Sequence, residues 1–410
     1  MYGLLTDVRI VEGASFVAAP YCALSLAQLG AEVIRFDAIG GGPDFHRWPR
    51  AEGGGSFYWE GLNKSKKSVA INLSDPRGRE LAVALVTAPG EGAGLFVTNY
   101  PAEGFLSHAR LAQRRPDLIT ARVMGRIDGS NAVDYTINCA VGLPMMTGPA
   151  DRPDEPVNHV LPAWDLLTGA TAAMAMLAAL RTRALSGRGQ EIRVPLGDVA
   201  AATLGTLGQV AEVAVSGKDR PKLGNELFGA FGRDFVTADG KHLMIVALTS
   251  RQWSGLVRAL RLTDAIAALE SELGVSLADD EGLRYQHRER LDPLVAAAVA
   301  AEPEAALSVR FEAEGVCWGP YRTLSQALVE DPLFAPGNPL FSPVAHTSGH
   351  TYPTPGFPAT FQGLDRGMPV RAPRLGEHTE EVLARVLSLP GHEIAALHDA
   401  GIVQSPEGRP

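Results

Sequence analysis

Cysteine is scarce in this chain: three among 410 residues, Cys22, Cys139 and Cys317, with no Cys-x-x-Cys pair. That spacing excludes a disulfide scaffold and a thiolate zinc site. Basic residues are outnumbered, 37 Lys and Arg against 46 Asp and Glu, for a net charge of −9. Such a balance argues against a general nucleic-acid binder, which needs a basic face. Long apolar runs are missing as well. The longest, residues 169–180, falls well short of the roughly 20 residues a membrane span requires. The opening MYGLLTDVRIVEG lacks the basic and apolar regions of a signal peptide. With 46% hydrophobic residues, the chain has ample material for a core and is not of disordered composition. The expectation is a soluble, cytoplasmic enzyme of two or three domains.

Two nucleotide signatures are also lacking. No Gly-x-Gly-x-x-Gly and no Gly-x-x-x-x-Gly-Lys-Ser/Thr occurs, so dinucleotide and nucleoside-triphosphate readings lose their main support. What is present is alternation. Residues 8–11, 31–37, 68–73, 94–98, 118–123 and 190–194 read as strands, separated by helical stretches at 20–29, 76–86 and 165–185. That order predicts an α/β fold, a doubly wound and mostly parallel sheet with helices on both faces. Residues 40–55 form a long Gly/Pro-rich loop, of a length that is usually functional. Composition shifts near residue 216. The expected division is a large domain over 1–221, a smaller α+β domain over 222–325, and a connection with C-terminal helices over 326–410 returning to the large domain.

Four segments resemble one family in the family's own order. They are VEGASFVAAPYCALSLAQLGAEVIRFD, GLNKSKKSVAINLSDPRGRE, PAWDLLTGATAAMAMLAAL and APRLGEHTEEVL. Together they resemble the family III coenzyme A transferases. The stretches IRFDAIGGGPDFHRWP, FGAFGRDF, VNHVLPAWD and WGPYRT narrow the resemblance to members that move CoA between the two carboxyls of one branched, unsaturated C4 diacid. The resemblance implies a Rossmann-like large domain, an interlaced homodimer, and acyl-CoA and dicarboxylic acid as small-molecule partners. It implies no metal and no separate cofactor, because the CoA thioester is itself the substrate.

Asp165 is the sharpest candidate. It opens an apolar helix after Pro162 and Trp164, where the plain alternative is an aspartate that caps or lines a first turn. The resemblance makes it the catalytic nucleophile, which takes the acyl group as a mixed anhydride and then as an aspartyl-CoA thioester. A helix N-terminus there would also supply donors for developing negative charge. Lys64, Lys66 and Lys67, with Asn72, surround the third strand and offer an acidic protein a local basic patch for the CoA phosphates. A solvated lysine run is the plain alternative. By resemblance, Val17, Ala18, Asn99, Tyr100 and His108 line the CoA site.

The run 224–232, GNELFGAFG, matches the family's mobile glycine-rich loop over the active site, with Asn225, Phe228 and Gly229 as substrate-side residues. Arg47, Arg233 and Arg322 are candidates to clamp the free carboxylate, since guanidinium matches carboxylate bidentately. His46, His159 and His378 could act as acids or bases, and His159 lies six residues before Asp165. Three other functions compete: an intermolecular transferase with a separate dicarboxylic acceptor, an α-methylacyl-CoA racemase, and a silent CoA-binding subunit. The racemase pairs its aspartate with a histidine, and Val133, Asp134 and Tyr135 at the matching position include none.

Overall fold

The computed structural model describes residues 1–406. In chain order its strands are β1 (Arg9–Gly13), β2 (Glu32–Ala38), β3 (Lys67–Ile71), β4 (Leu95–Thr98), β5 (Ile119–Met124), β6 (Gln190–Pro195), β7 (Phe231–Val236), β8 (His242–Ala247), β9 (Cys317–Pro320), β10 (Phe341–Ala345), β11 (Thr351–Pro355) and β12 (Val403–Gln404). The chain divides into two compact units. The first comprises residues 1–141, 159–216 and the C-terminal part from 336; the second comprises 142–158 and 217–335.

The first unit is built on a seven-stranded sheet in the order β12-β3-β2-β1-β4-β5-β6. Every pairing from β3 through β6 is parallel, and only the short β12 runs antiparallel, on the β3 edge. Strands β1 to β5 are nearly continuous buried runs, as expected where helices cover both faces. Val11, Ile34, Phe36, Val69, Ile71 and Phe96 meet Leu81, Leu85 and Val86 of the helix Pro76–Thr87 in one core. That helix starts as its sequence dictates. Asp75 accepts the Arg77 amide at 2.8 Å and Pro76 takes the first position.

The order of the sheet reverses between β1 and β4, so the connections leaving them diverge and open a crevice at their C-terminal ends. The helix Ala18–Gln28 follows β1, and the 24-residue helix Ala163–Ser186 packs on it. A Cβ at Gly169 would stand 2.5 Å from the Ala18 carbonyl oxygen, so glycine is what permits this approach. The long helix is apolar enough by composition to cross a membrane. Here it covers β5 and β6, and its buried Arg183 donates to the carbonyls of Ala93 and Gly94.

One part of the first unit departs from the expected connection over 326–410. Strands β10 and β11 form an antiparallel hairpin, and the turn between them is pinned by buried Glu60. Glu60 accepts from Thr347 Oγ1, the Ser348 amide, Ser348 Oγ and Tyr352 Oη, at 2.7 to 3.0 Å. In the second unit, β7, β8 and β9 make an antiparallel sheet backed by helices over 250–314. Its own core gathers Phe231, Leu243, Ile245, Trp253, Leu256 and Phe311. The contacts group 142–158 with this unit, although no shift in composition marks that stretch.

Candidate active site

Asp165 is the third residue of the long helix, half-buried, in the turn whose backbone amides lack intrahelical partners. Pro162 at the N-cap cannot supply a side-chain cap. The cap comes from outside the helix. Asp134, buried at the first position of the helix Asp134–Ala140, accepts the Trp164 amide at 2.7 Å and the Asp165 amide at 3.0 Å on one carboxylate oxygen. Its other oxygen meets His159 Nε2 at 2.7 Å. Trp164 Nε1 donates to Asn138 Oδ1 at 3.0 Å, tying the same two helices a turn further on. The sequence reading gave these helix-end amides to the developing charge of the reaction. The Trp164 and Asp165 amides are instead engaged by Asp134.

Burial, and secondly the Asp134 carboxylate beside it, push the Asp165 carboxyl up to about 7, while the Arg47 guanidinium pulls the other way. Arg47 comes from the 40–55 loop and lies over two aromatic rings, Phe16 at 5.6 Å and Tyr58 at 5.1 Å. The loop is fixed locally: Ser56 Oγ donates to the Arg47 carbonyl at 2.6 Å, and Asp44 binds fully buried Arg35 at 3.0 Å. Phe16 itself holds a left-handed backbone, φ 68°, which an aromatic residue adopts at a cost of about 1–3 kcal/mol. Burial raises the Tyr58 hydroxyl to about 12, with the Asp165 charge adding to the rise. Tyr58 is therefore a neutral O–H at physiological pH. A carboxylate with a raised proton affinity, a nearby guanidinium and a neutral phenol together suit acyl transfer to an aspartyl nucleophile.

Comparison with known proteins decides the family. The chain matches CoA-transferase family III over residues 5–379. This chain is a family III CoA-transferase. It is 49% identical to the 2-methylfumaryl-CoA isomerase of Chloroflexus aurantiacus, across 99% of each chain. It is 28% identical to the succinyl-CoA:glutarate CoA-transferase of Mus musculus, over 98% of this chain and 91% of that protein. Among solved structures, a CAIB/BAIF family protein from Brucella suis superposes with a TM-score of 0.75 at 25% identity, covering 94% of this chain and all of that one.

The switch-point crevice of this family III CoA-transferase carries several of the residues expected at the CoA site. Val17 and Ala18 start the helix after β1, and Asn99 and Tyr100 follow β4. The two turns are stitched together, with Asn99 accepting the Ser15 amide at 3.1 Å and donating to the Ser15 carbonyl at 2.8 Å. Asn72, after β3, donates to the Gly401 carbonyl and lines a cavity of about 640 Å³ with Ile39, Glu380, His398 and Gln404. His108 opens its helix, with Nδ1 2.9 Å from Thr120 Oγ1, and burial lowers its proton affinity.

The lysines of the expected basic patch separate by environment. Lys64 is buried and donates to the Gly61 carbonyl at 2.6 Å; burial, helped by Lys66, lowers its amine to about 8. Lys66 is fully buried against Glu12 at 2.7 Å. Lys67 is bound by Glu32 at 3.0 Å and by Glu381. His378 Nδ1 accepts the Ser68 amide at 3.2 Å, and His46 contacts the Gly40 carbonyl.

Asn225, Phe228, Gly229, Arg233 and Arg322 belong to the second unit. Phe228 packs on Tyr285 and beneath Arg220, and Gly229 takes φ 83°. Arg233 is held by Glu226 at 3.0 Å and Asp292 at 2.6 Å, and Arg322 by Asp331 at 2.7 Å and Glu330 at 3.2 Å. Within the first unit, Arg47 is the candidate clamp placed beside Asp165. Sequence reasoning passed over Tyr58 and the cap by Asp134. It did flag His159, and the structure brings that histidine to the Asp134 position whose local sequence has none.

Proposed function

We propose that this chain converts 2-methylfumaryl-CoA to 3-methylfumaryl-CoA by moving CoA from the C1 to the C4 carboxyl of one diacid. The observation that carries the reading is the Asp165 carboxylate at a capped helix start, raised to about 7 and flanked by Arg47. The 49% identity to a 2-methylfumaryl-CoA isomerase supports the substrate.

In the first step an Asp165 oxygen attacks the C1 thioester carbonyl. The C–S bond breaks, giving a mixed anhydride and CoA thiolate. The thiolate attacks the aspartyl carbonyl, forming an aspartyl-CoA thioester and releasing 2-methylfumarate as its dianion. That diacid turns and presents its C4 carboxylate to the aspartyl thioester, re-forming an anhydride and thiolate. The thiolate then attacks the C4 carbonyl, and the Asp165 carboxylate leaves. Each step exchanges an acyl group between carboxylate and thiolate, so the scheme calls for no metal and no redox cofactor. Arg47 suits the carboxylate not undergoing reaction, by charge and planar geometry. The CoA moiety belongs at the switch point, along Val17, Ala18, Asn99, Tyr100 and His108, whereas Asn72 lines a separate cavity beyond β3, and Lys64 and Lys67 are already engaged by the Gly61 carbonyl and by Glu32 and Glu381. A homodimer in the cytoplasm completes the reading.

Incubation with 2-methylfumaryl-CoA in the presence of labelled free 2-methylfumarate is the test. The expected product is unlabelled 3-methylfumaryl-CoA. Incorporated label would make the chain an intermolecular transferase, and no product would sink the assignment. Because His159 reaches Asp134, the same assay in deuterated water with a 2-methylacyl-CoA addresses the racemase alternative; no exchange at the α-carbon is expected.

A further inference from the structure

Resting on the role given above to Asp165, we propose that Asp134 is a positioning residue that fixes the nucleophile's helix end through two backbone amides and whose negative charge makes the Asp165 carboxylate a stronger nucleophile. Capping alone does not require a charge. Asparagine and serine cap helices about as well as aspartate. A carboxylate only 1% exposed, with a second carboxylate beginning the adjoining helix, carries a desolvation and repulsion cost that a neutral cap avoids. The side chain is also fully committed. One oxygen takes both helix amides and the other takes His159 Nε2, so the carboxylate has one orientation and its charge lies at a fixed place beside Asp165.

The remaining charged and titratable groups facing Asp165 are few and come from identifiable elements. Arg47 projects from the 40–55 loop and opposes Asp134. Tyr58, from the helix Phe57–Asn63, stays neutral. Tyr135 sits beside Asp134, its ring edge-on to His159 at 5.7 Å. A carboxylate that holds its proton more tightly donates its electron pair more readily once ionised, and with its carboxyl pushed up to about 7 Asp165 is ionised in about half of the molecules at neutral pH. Asp134 thus trades some ionised fraction for reactivity of the ionised form.

The experiment compares wild type with Asp134→Asn and Asp134→Ser, both neutral acceptors able to keep the cap. The first readout needs no substrate: the pH dependence of Asp165 esterification by a diazo reagent, followed by peptide mass spectrometry. The midpoint is expected near 7 for wild type and lower by about one unit or more in both variants. The second readout is turnover of 2-methylfumaryl-CoA, with kcat expected to fall about tenfold and KM to change little. An unchanged midpoint in a folded variant overturns the proposal. So does loss of fold in both variants, which would make Asp134 a purely structural group. A shifted midpoint in a protein whose wild type does not turn over the substrate would sink the proposed function and leave this inference standing.

Discussion

At the scale of the residue, the environment of Asp165 sets a pH dependence with a definite sign. The nucleophile acts as the anion, and its carboxyl titrates at about 7, so the reaction gains rate as pH rises through 7. Below that midpoint, kcat/KM is expected to fall about tenfold per pH unit. Asp165→Asn is expected to lose about 10³-fold or more in turnover, because the amide cannot form the anhydride. Its stability should move the opposite way. A folded value raised above the ordinary carboxylate value of 3.8 means that stability from this group is fully present below 3.8 and is lost as pH climbs to about 7. The asparagine variant therefore melts above wild type at pH 8 and shows little such gain at pH 3.5. A folded variant with near-wild-type turnover would remove Asp165 from the chemistry.

At the scale of the element, two helices decide where that carboxylate stands, and a single glycine sets their distance. Gly169→Ala places a methyl group 2.5 Å from the Ala18 carbonyl oxygen and 3.0 Å from the Tyr21 ring. The helices Ala18–Gln28 and Ala163–Ser186 must then separate, at a cost of about 1–3 kcal/mol. Because Asp165 lies one turn before Gly169, the shift reaches the site, and kcat should fall with the melting temperature. Thermal melts and steady-state kinetics on one preparation check both, and unchanged values in both would show that the crossing has slack. Elements of this kind were legible in the sequence where burial is two-sided. Strands β1 to β5 read as apolar, β-branched runs because helices cover both faces of the sheet. The hairpin of β10 and β11 was hidden for the opposite reason: Pro343 and Pro353 lie within its strands, and the stretch reads as a connection. Asp165 was marked by the family resemblance, since a place in a first turn alone suits a capping aspartate equally well. The Asp134 contacts were not, since they join residues 25 and 31 positions apart and leave no local period to detect.

At the scale of the whole molecule, the first unit leaves a run of apolar side chains facing water. Met174 and Leu185 on the long helix are 66% and 76% exposed, and Leu207, Val210 and Val215 on the helices that follow are 65%, 54% and 89% exposed. Scattered exposure of this kind is ordinary, but its concentration along three consecutive helices suits a surface that another protein surface covers. A second copy of this chain is the partner that the family resemblance implies. Light scattering is therefore expected to give about twice the chain mass of 43.4 kDa at micromolar concentration. Leu207→Glu combined with Val210→Glu puts two charges into the face, and neither site lies among the residues assigned to chemistry. Burying an unpaired charge at an interface costs several kcal/mol, enough to shift a micromolar equilibrium toward monomer. Activity should fall with dimer content as the variant is diluted. A wild-type chain that is active as a 43.4 kDa monomer would mean that these apolar helices face water in the working enzyme.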